Sequence, residues 1–183
     1  MSSEVKLLKN STEELADIVI TSTLGKVQIV ATAKGVCRME FAERVRRLKP
    51  GKTDASTADK AAAKRHVERA AKQIQEYFAG RRSEFDLALD LRGTELQLRF
   101  WKLLVEIPFG KTLTYGELAR RAGLKDGARA AGGACGSNPV WLVVPCHRVV
   151  GSTGSLQGYG GGLWRKKALL DLEQGKQQLF PTR

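Results

Sequence analysis

The chain has 183 residues, of which 42% are hydrophobic, and a formal net charge of +12. This length is enough to bury a sizeable core, in one domain or in two small ones. No apolar run reaches the length of a transmembrane helix, and the first ten residues lack the apolar stretch of a signal peptide. Composition therefore predicts a soluble protein of the cell interior, cytoplasmic or, in a eukaryote, nuclear.

The three cysteines, Cys37, Cys135 and Cys146, are odd in number and widely spaced, which disfavours a disulfide framework. A zinc site is also disfavoured, because the chain has only two histidines and no cysteines at the spacing of a CxxC motif. We therefore expect no metal, no cofactor, and at least one thiol free for chemistry in a reducing compartment.

Basic residues are in excess mainly in the second half of the chain. Residues 1–91 contain 17 Lys and Arg against 13 Asp and Glu, whereas residues 92–183 contain 14 against 6. Such an excess attracts nucleic acid or an anionic membrane. Charge alone leaves equally open a protein that is merely basic.

The first half of the chain has the pattern of a small sheet followed by a helix. Leu24-Gly25 predicts a hairpin turn between the first two strands. An Ala-rich, charged segment predicts an amphipathic helix over 58–78 that begins near Ser56. The predicted strands lie at 18–20, 27–30, 35–41 and 85–89. Residues 91–94 then predict a linker, which divides the chain into domains at 1–91 and 92–183.

The second half has the hydrophobic spacing of a mainly helical domain. The segment 114–117 (TYGE) fits a capping box that begins a helix running to about Ala122. Asp126 can cap the next helix, over 127–136. Two helices joined by a short turn are the outline of a helix-turn-helix. An earlier helix is predicted over 95–106, with an apolar face formed by Leu96, Phe100, Leu103 and Leu104.

The strongest chemical signal is the segment 138–150, NPVWLVVPCHRVV. Leu142 to Val144 is apolar and predicts a buried strand, which Pro145 ends. Cys146 and His147 then follow side by side, and an imidazole near a thiol can remove its proton, directly or through a water. An arbitrary Cys-His pair is more often a packed cysteine beside a structural histidine.

This segment resembles the active-site segment of the methylated-DNA–protein-cysteine methyltransferases, also called O6-alkylguanine-DNA alkyltransferases. The resemblance continues through IPFGKTLTYGELA (107–119), ARAAGGACGSNP (128–139) and GSLQGYGGGLWRKKALLDLE (154–173). It covers nearly all of residues 93–175, and it extends more weakly to TSTLGKVQIVATAKGV (21–36).

The resemblance implies a fold and a function. The fold is an α/β N-terminal domain, a small ribonuclease-H-like sheet with a helix, followed by a mainly α, winged-helix-like domain that contains the helix-turn-helix. The function is DNA repair by a monomer that binds the minor groove of double-stranded DNA and flips O6-alkylguanine out of the duplex. The alkyl group passes irreversibly to the protein's own cysteine, once per molecule. Some members hold zinc through N-terminal Cys and His residues that this chain lacks.

The resemblance also implies roles for catalytic residues. Cys146 is the alkyl acceptor, and His147 draws off its proton through a water. Glu173 orients His147 and balances its charge. Tyr115 donates a hydrogen bond to the departing guanine, and Asn138 ties the active-site turn together.

The DNA-facing residues implied by the resemblance are Tyr115, Ala128, Arg129, Gly132 and Arg148. Among them, Arg129 fills the stack that the flipped nucleotide vacates. The small residues of this helix could equally serve tight helix packing, and Arg129 could be a solvated arginine.

The pocket residues implied by the resemblance are Trp141, Val149, Tyr159, Gly160 and Gly161. The Gly160 N–H faces O6 and the Val149 C=O faces the exocyclic amine. Residues 154–162 form a flexible wall, and the glycines at 160–162 leave room in it for a benzyl group. The wall lacks the Gly-Lys-Ser/Thr ending of a phosphate-binding P-loop.

Two other function classes fit part of the pattern. A DNA-binding module without chemistry, such as a damage sensor, fits the helix-turn-helix and the charge. A thiol hydrolase fits Cys146 and His147. The two differ from an alkyltransferase in stoichiometry, because the module transfers nothing and the hydrolase turns over.

Overall fold

The N-terminal part of the molecule is an antiparallel sheet covered by one long helix. The structure is a computed structural model that describes residues 15–42 and 55–176. The sheet has the strand order β1 (Ala16–Ser22), β2 (Gly25–Thr32) and β3 (Gly35–Phe41), and α1 (Thr57–Phe78) packs on it. The first three predicted strands are therefore confirmed. The hairpin turn lies one residue earlier than predicted, at Thr23-Leu24, and Gly25 opens β2 with a φ of 112° that favours glycine.

Helix α1 has the boundaries that its local sequence predicts. The Ser56 side chain accepts a hydrogen bond from the Asp59 amide, and the Asp59 side chain accepts one from the Ser56 amide. Every third or fourth side chain faces the sheet, so the helix presents one apolar stripe. The residues buried along this stripe are Ala63, Val67, Ala70, Ala71, Gln73, Ile74 and Tyr77.

The segment predicted as a strand at 85–89 is not one. Only Leu89 forms a single parallel bridge, with Val36 of β3. The backbone of Asp86 instead bonds to α1, where Gln73 accepts from its N–H at 2.9 Å and donates to its C=O at 2.9 Å. The segment therefore begins against α1 and reaches the edge of β3 only at its end, where the Ala88 C=O accepts from the Val36 N–H at 2.9 Å.

The C-terminal part is mainly helical. It contains α2 (Glu95–Val105), β4 (Leu113–Thr114), α3 (Tyr115–Arg121), α4 (Ala128–Gly136), a 3-10 turn (Cys146–Arg148), β5 (Val149–Val150) and α5 (Leu163–Glu173). Strands β4 and β5 pair in parallel, which places the start of α3 beside the residues that follow Cys146. Helices α3 and α4 pack on each other and form the predicted helix-turn-helix outline.

Two helix details differ from the sequence prediction. The buried face of α2 comprises Phe100, Trp101 and Leu104, whereas Leu96 is 39% exposed. The Trp101 indole reaches α4 and donates to the Ala134 C=O at 2.9 Å. This contact with α4 turns the Trp101 side of α2 toward the core. Helix α4 has Gly127 at its N-cap and no side-chain capping bond, so Asp126 does not cap it. The capping box at 114–117 is confirmed.

The two parts share one continuous cluster of buried apolar side chains. Along the outer edge of β3, Met39 forms a bridge with Val140, from the segment that leads to Cys146. The N-terminal sheet therefore positions the candidate active site directly. Within the described residues, no helix is both long enough and apolar enough to cross a membrane.

Candidate active site

Cys146 is presented by two consecutive tight turns rather than by a strand. The Val143 N–H donates to the Trp141 C=O at 2.9 Å, and Leu142 between them has a φ of 71°, rare for a residue with a side chain. The predicted strand at 142–144 is therefore wrong. Its apolar residues are buried because they line a turn that is packed into the core.

The second turn brings Cys146 back toward Asn138. Pro145 has φ −83° and ψ 64°, and the Cys146 N–H donates to the Val144 C=O at 2.8 Å, the geometry of an inverse γ-turn. The Asn138 amide donates to the same Val144 carbonyl at 2.7 Å and accepts from the Val140 N–H at 3.0 Å. The Asn138 side chain thus bonds to backbone groups on both arms of the turn.

The Cys146 thiol is buried, and Asn138 Nδ2 donates to its Sγ at 3.2 Å. Burial raises the pKa of Cys146, while the Asn138 hydrogen bond and the charge of Lys166 act in the opposite direction. The resting form is therefore the thiol, and a base is needed to generate the nucleophile. Burial also raises the pKa of Cys135 to about 12, which leaves that thiol unreactive.

His147 and Glu173 form a buried pair beside Cys146. His147 Nε2 lies 2.8 Å from Glu173 Oε1, and within the described residues His147 Nδ1 has no hydrogen-bond partner. Burial lowers the pKa of His147, against the raising effect of Glu173. A neutral imidazole with one nitrogen held by a carboxylate and the other free is suited to accept a proton.

Glu173 is the most heavily bonded side chain of the site. Burial alone would raise its pKa, but the hydrogen bond and charge of His147, followed by those of Arg148, lower it to about 2. Glu173 is therefore ionised throughout the physiological range. Two of its donors were missed in the sequence: the Gly110 N–H at 3.0 Å and the Tyr77 hydroxyl at 2.8 Å. No local pattern marks either, because Glu173 is 63 and 96 residues away from them.

The structure does not support the prediction that Arg148 contacts DNA. Its side chain is buried, and it donates to Glu173 at 2.8 and 3.0 Å and to the Ile107 C=O at 2.5 Å. A guanidinium that is paired inside the fold is not available to a phosphate.

One carbonyl of the loop over the pocket accepts two hydrogen bonds from side chains outside the loop. The Tyr115 hydroxyl donates to the Gln157 C=O at 3.1 Å, and Lys166 Nζ donates to the same oxygen at 2.5 Å. Burial raises the pKa of Tyr115 to about 12, so its proton is retained at neutral pH. Lys166 was also missed in the sequence, where it is one of two adjacent lysines on α5. Burial lowers its pKa, and its charge favours the Cys146 thiolate.

Comparison with known proteins identifies the family that this geometry belongs to. Residues 17–91 match the ribonuclease-like domain, and residues 95–175 the DNA binding domain, of 6-O-methylguanine DNA methyltransferase. A methylated-DNA–protein-cysteine methyltransferase of Methanosarcina barkeri is 40% identical over 156 residues, 85% of this chain and 95% of the relative. The chain belongs to the methylated-DNA–protein-cysteine methyltransferase family.

Two further matches come from Mycobacterium tuberculosis. Its methylated-DNA–protein-cysteine methyltransferase is 55% identical over 104 residues, which span 57% of this chain and only 63% of the relative. A crystal structure of the Mycobacterium tuberculosis OGT in complex with DNA has 41% identity and a TM-score of 0.74, and covers 86% of this chain and 91% of that one. A small N-terminal sheet domain followed by a helical DNA-binding domain is thus the fold shared with that relative.

In this family member, aromatic rings pack directly against the glycines that line the pocket. A Cβ on Gly160 would come within 2.6 Å of the Trp141 ring, and one on Gly161 within 2.8 Å of Tyr159. The Trp141 and Tyr159 rings also pack together, 5.5 Å apart. The Tyr159 hydroxyl is buried and has no hydrogen-bond partner within the described residues. The glycines therefore make room for aromatic rings of the protein itself.

The exposed face of α4 carries almost no side chains. Arg129 is exposed beside Ala128, and Cβ atoms added at Gly132, Gly133 or Gly136 would meet nothing within 4 Å. Tight packing within the fold therefore does not explain these glycines. They leave the backbone of α4 open to close approach from outside.

Proposed function

We propose that this chain repairs DNA by moving an alkyl group from O6 of guanine to Cys146 Sγ, once per molecule. The observation that carries the proposal is the buried arrangement of Asn138, Cys146, His147 and Glu173 in a chain of this family. A neutral imidazole, a fixed carboxylate and a hydrogen-bonded thiol are the parts that nucleophile activation requires.

The reaction needs one proton transfer and one displacement. His147 Nδ1 takes the Cys146 proton through a water, and the imidazolium that forms is balanced by ionised Glu173. The thiolate attacks the alkyl carbon, so that the S–C bond forms as the O6–C bond breaks. The guanine leaves as an anion and then regains a proton. The product at Cys146 is a thioether, which water does not hydrolyse, so the protein acts once.

Tyr115 and the pocket backbone assist the leaving group. Because Tyr115 retains its proton, its hydroxyl can donate to the departing base, exchanging its present bond to Gln157 for one to guanine. The Gly160 N–H and the Val149 C=O recognise O6 and the exocyclic amine. Trp141 and Tyr159 form the side of the pocket behind Gly160.

The DNA is double-stranded and is bound through its minor groove by a monomer. This proposal is supported by the relative whose structure contains DNA and by the open face of α4. A helix without side chains can approach a narrow groove closely, with Arg129 and Ala128 at its leading end and Gly132 behind them. The finer fold assignments, ribonuclease-H-like and winged-helix-like, and the domain division at 91/92 belong to the same proposal.

A stoichiometric assay tests the transfer. Protein is incubated with excess duplex containing O6-methylguanine, and the peptides are examined by mass spectrometry. We expect one methyl per protein, on the peptide that contains Cys146, and none in Cys146→Ala, which should still bind DNA. Methyl on Cys37 or Cys135 would contradict the assignment. No transfer would indicate a binding module, and multiple turnovers of another substrate a hydrolase.

A comparison of two substrates tests base flipping by Arg129. If its side chain fills the vacated stack, Arg129→Ala should slow repair of duplex DNA by tenfold or more, since stacking losses of a few kcal/mol are at stake; ~1.4 kcal/mol corresponds to about tenfold. Reaction with free O6-benzylguanine should change little. The matched control is Arg65→Ala, at an exposed position of α1. Equal losses on both substrates would assign Arg129 to the fold instead.

A further inference from the structure

One hydrogen bond to Glu173, the candidate catalytic carboxylate, comes from the N-terminal domain. Tyr77, in the last turn of α1, donates its hydroxyl to Glu173 Oε1 at 2.8 Å. Its ring is buried and packs near Phe85, at 5.5 Å, and Phe109, at 6.1 Å. The hydroxyl is therefore aimed at the pair formed by His147 and Glu173 through a rigid aromatic frame.

The two carboxylate oxygens of Glu173 have different hydrogen-bond partners. Oε2 accepts from Arg148 Nε at 2.8 Å and from the Gly110 N–H at 3.0 Å. Oε1 accepts from Arg148 Nη2 at 3.0 Å, from Tyr77 at 2.8 Å, and faces His147 Nε2 at 2.8 Å. Tyr77 and His147 thus share one carboxylate oxygen, and each donor weakens that oxygen as an acceptor for the other.

We propose that Tyr77 is a positioning residue of the transfer reaction, which fixes the Glu173 carboxylate and limits how strongly Oε1 holds His147. This inference rests on the proposed function, in which His147 must gain and then release a proton. An imidazole bound too tightly to a carboxylate stays protonated over a wider pH range. Through Tyr77, the N-terminal domain therefore influences how readily His147 accepts and releases a proton, in addition to packing against the C-terminal domain.

Burial by itself could also account for the bond, since a buried hydroxyl needs a partner. A purely structural Tyr77 would affect stability and leave the titration of His147 unchanged. The two roles thus differ in a measurable property. Among the described residues, the other groups that act electrostatically on His147, Glu173 or Tyr77 are Arg148, Tyr159 and Lys166. These groups, and Cys146 next to His147 in the chain, remain in place when only the Tyr77 hydroxyl is removed.

The test is Tyr77→Phe, followed by nitrogen-detected NMR of the imidazoles. The chain has two histidines, so His66 on α1 serves as the internal reference for His147. Removal of the hydroxyl leaves Oε1 more negative, and this should raise the pH at which His147 titrates by about half a pH unit or more, equivalent to about threefold in its protonation constant. The signals of His66 should be the same in Tyr77→Phe as in the wild type.

The same shift should appear in the chemistry. The acid limb of the single-turnover rate on duplex containing O6-methylguanine should move to higher pH in Tyr77→Phe by the amount seen for His147. The matched control is Phe85→Leu, which disturbs the same aromatic cluster but keeps the hydroxyl, and its pH profile should match that of the wild type.

The outcomes separate this inference from the proposed function. If the wild type transfers no methyl group, the proposed function fails, whereas the NMR comparison still reports on Tyr77. If the wild type is active and Tyr77→Phe shows the wild-type His147 titration and pH profile, the inference is overturned. Equal shifts in Tyr77→Phe and Phe85→Leu would also overturn it, because packing alone would then explain them.

Discussion

At the scale of single residues, the site depends on one amide. Asn138 donates to the Val144 C=O and to Cys146 Sγ, and it accepts from the Val140 N–H. These bonds hold a turn in which Leu142 has a positive φ. The same side chain therefore shapes the backbone and favours the thiolate, against the burial that raises the pKa of Cys146.

Asn138→Asp should slow transfer at neutral pH by tenfold or more. The substituted carboxylate cannot donate to Val144 or Cys146 when ionised, and its charge opposes a thiolate; ~1.4 kcal/mol is enough for this effect. Single-turnover rates measured from pH 6 to 9 should show the loss shrinking as pH rises, because alkali supplies the thiolate directly. A loss that is constant with pH would mean that Asn138 acts through the turn alone.

The pocket prediction also belongs to single residues. We expect benzyl as well as methyl to be accepted. The glycines do not leave empty space for the benzyl group, because Trp141 and Tyr159 fill the space behind Gly160 and Gly161; instead they let these rings lie back from the substrate. Gly161→Ala should push Tyr159 toward the substrate and slow transfer from O6-benzylguanine about tenfold, since overpacking typically costs about 1–3 kcal/mol. Transfer from O6-methylguanine should fall less. Gly136→Ala, assayed on the same free bases without DNA, is the control, since a Cβ there meets nothing within 4 Å.

At the scale of elements, the sequence predicted the helix starts that are fixed by hydrogen bonds between near neighbours. The capping box at the start of α3 and the start of α1 near Ser56 are confirmed, because each depends on only four consecutive residues. The segment 85–89 has the alternation of a strand, yet the Asp86 backbone bonds to Gln73 and Arg69 of α1, and the segment meets β3 only at its end. Which partner such a segment finds is a tertiary property that periodicity does not contain.

Helix α4 yields a prediction that separates stability from DNA repair. Gly133→Leu should stabilise the protein by roughly 0.5–1 kcal/mol, because glycine is a poor helix former and a Cβ there meets no neighbour within 4 Å. It should also slow repair of duplex DNA strongly, because a bulky side chain holds the helix away from the groove. Thermal melts and transfer from free O6-benzylguanine complete the comparison. A variant that repairs duplex DNA normally would show that this face does not contact it.

At the scale of the whole molecule, the two domains meet at the chemistry. Met39 pairs with Val140, and Tyr77 bonds to Glu173. A third link is Arg165 of α5, which donates to the Leu24 C=O of the hairpin at 2.8 Å and to the Gly161 C=O of the pocket loop at 3.0 Å. The N-terminal domain therefore supports the turn, the carboxylate and the loop of the site.

Acid should unfold the protein partly through this shared core. The pKa of Glu173 is lowered to about 2, so its stabilising contribution is present above the ordinary glutamate pKa and is lost as pH falls toward 2. The pKa of His147 is also lowered, so protonation of the unfolded chain starts to favour unfolding below about pH 6.5. Both effects have the same sign, and melting temperature should decline steadily from about pH 6.5 downwards.

Glu173→Gln tests the acid prediction. The variant should be less stable at pH 7, by about 3 kcal/mol, because it leaves Arg148 buried without its carboxylate. Its loss of stability between pH 4.5 and 2 should be shallower than that of the wild type. Glu106→Gln, at an exposed helix end, is the control and should follow the wild-type curve. Parallel curves for Glu173→Gln and wild type would contradict the prediction.

The sequence by itself determined the family, the candidate acceptor Cys146 with His147, Glu173 and Asn138, and the starts of α1 and α3. Each of these depends on residue identity within a short motif or on bonds between near neighbours. Tertiary structure alone decided that Arg148 faces inward, that Tyr77 and Lys166 join the site, and that the pocket glycines accommodate Trp141 and Tyr159. The physical reason is separation along the chain. Apart from Gly161 with Tyr159, these contacts join residues 9 to 96 positions apart, and packing, which no local pattern encodes, chooses the partners.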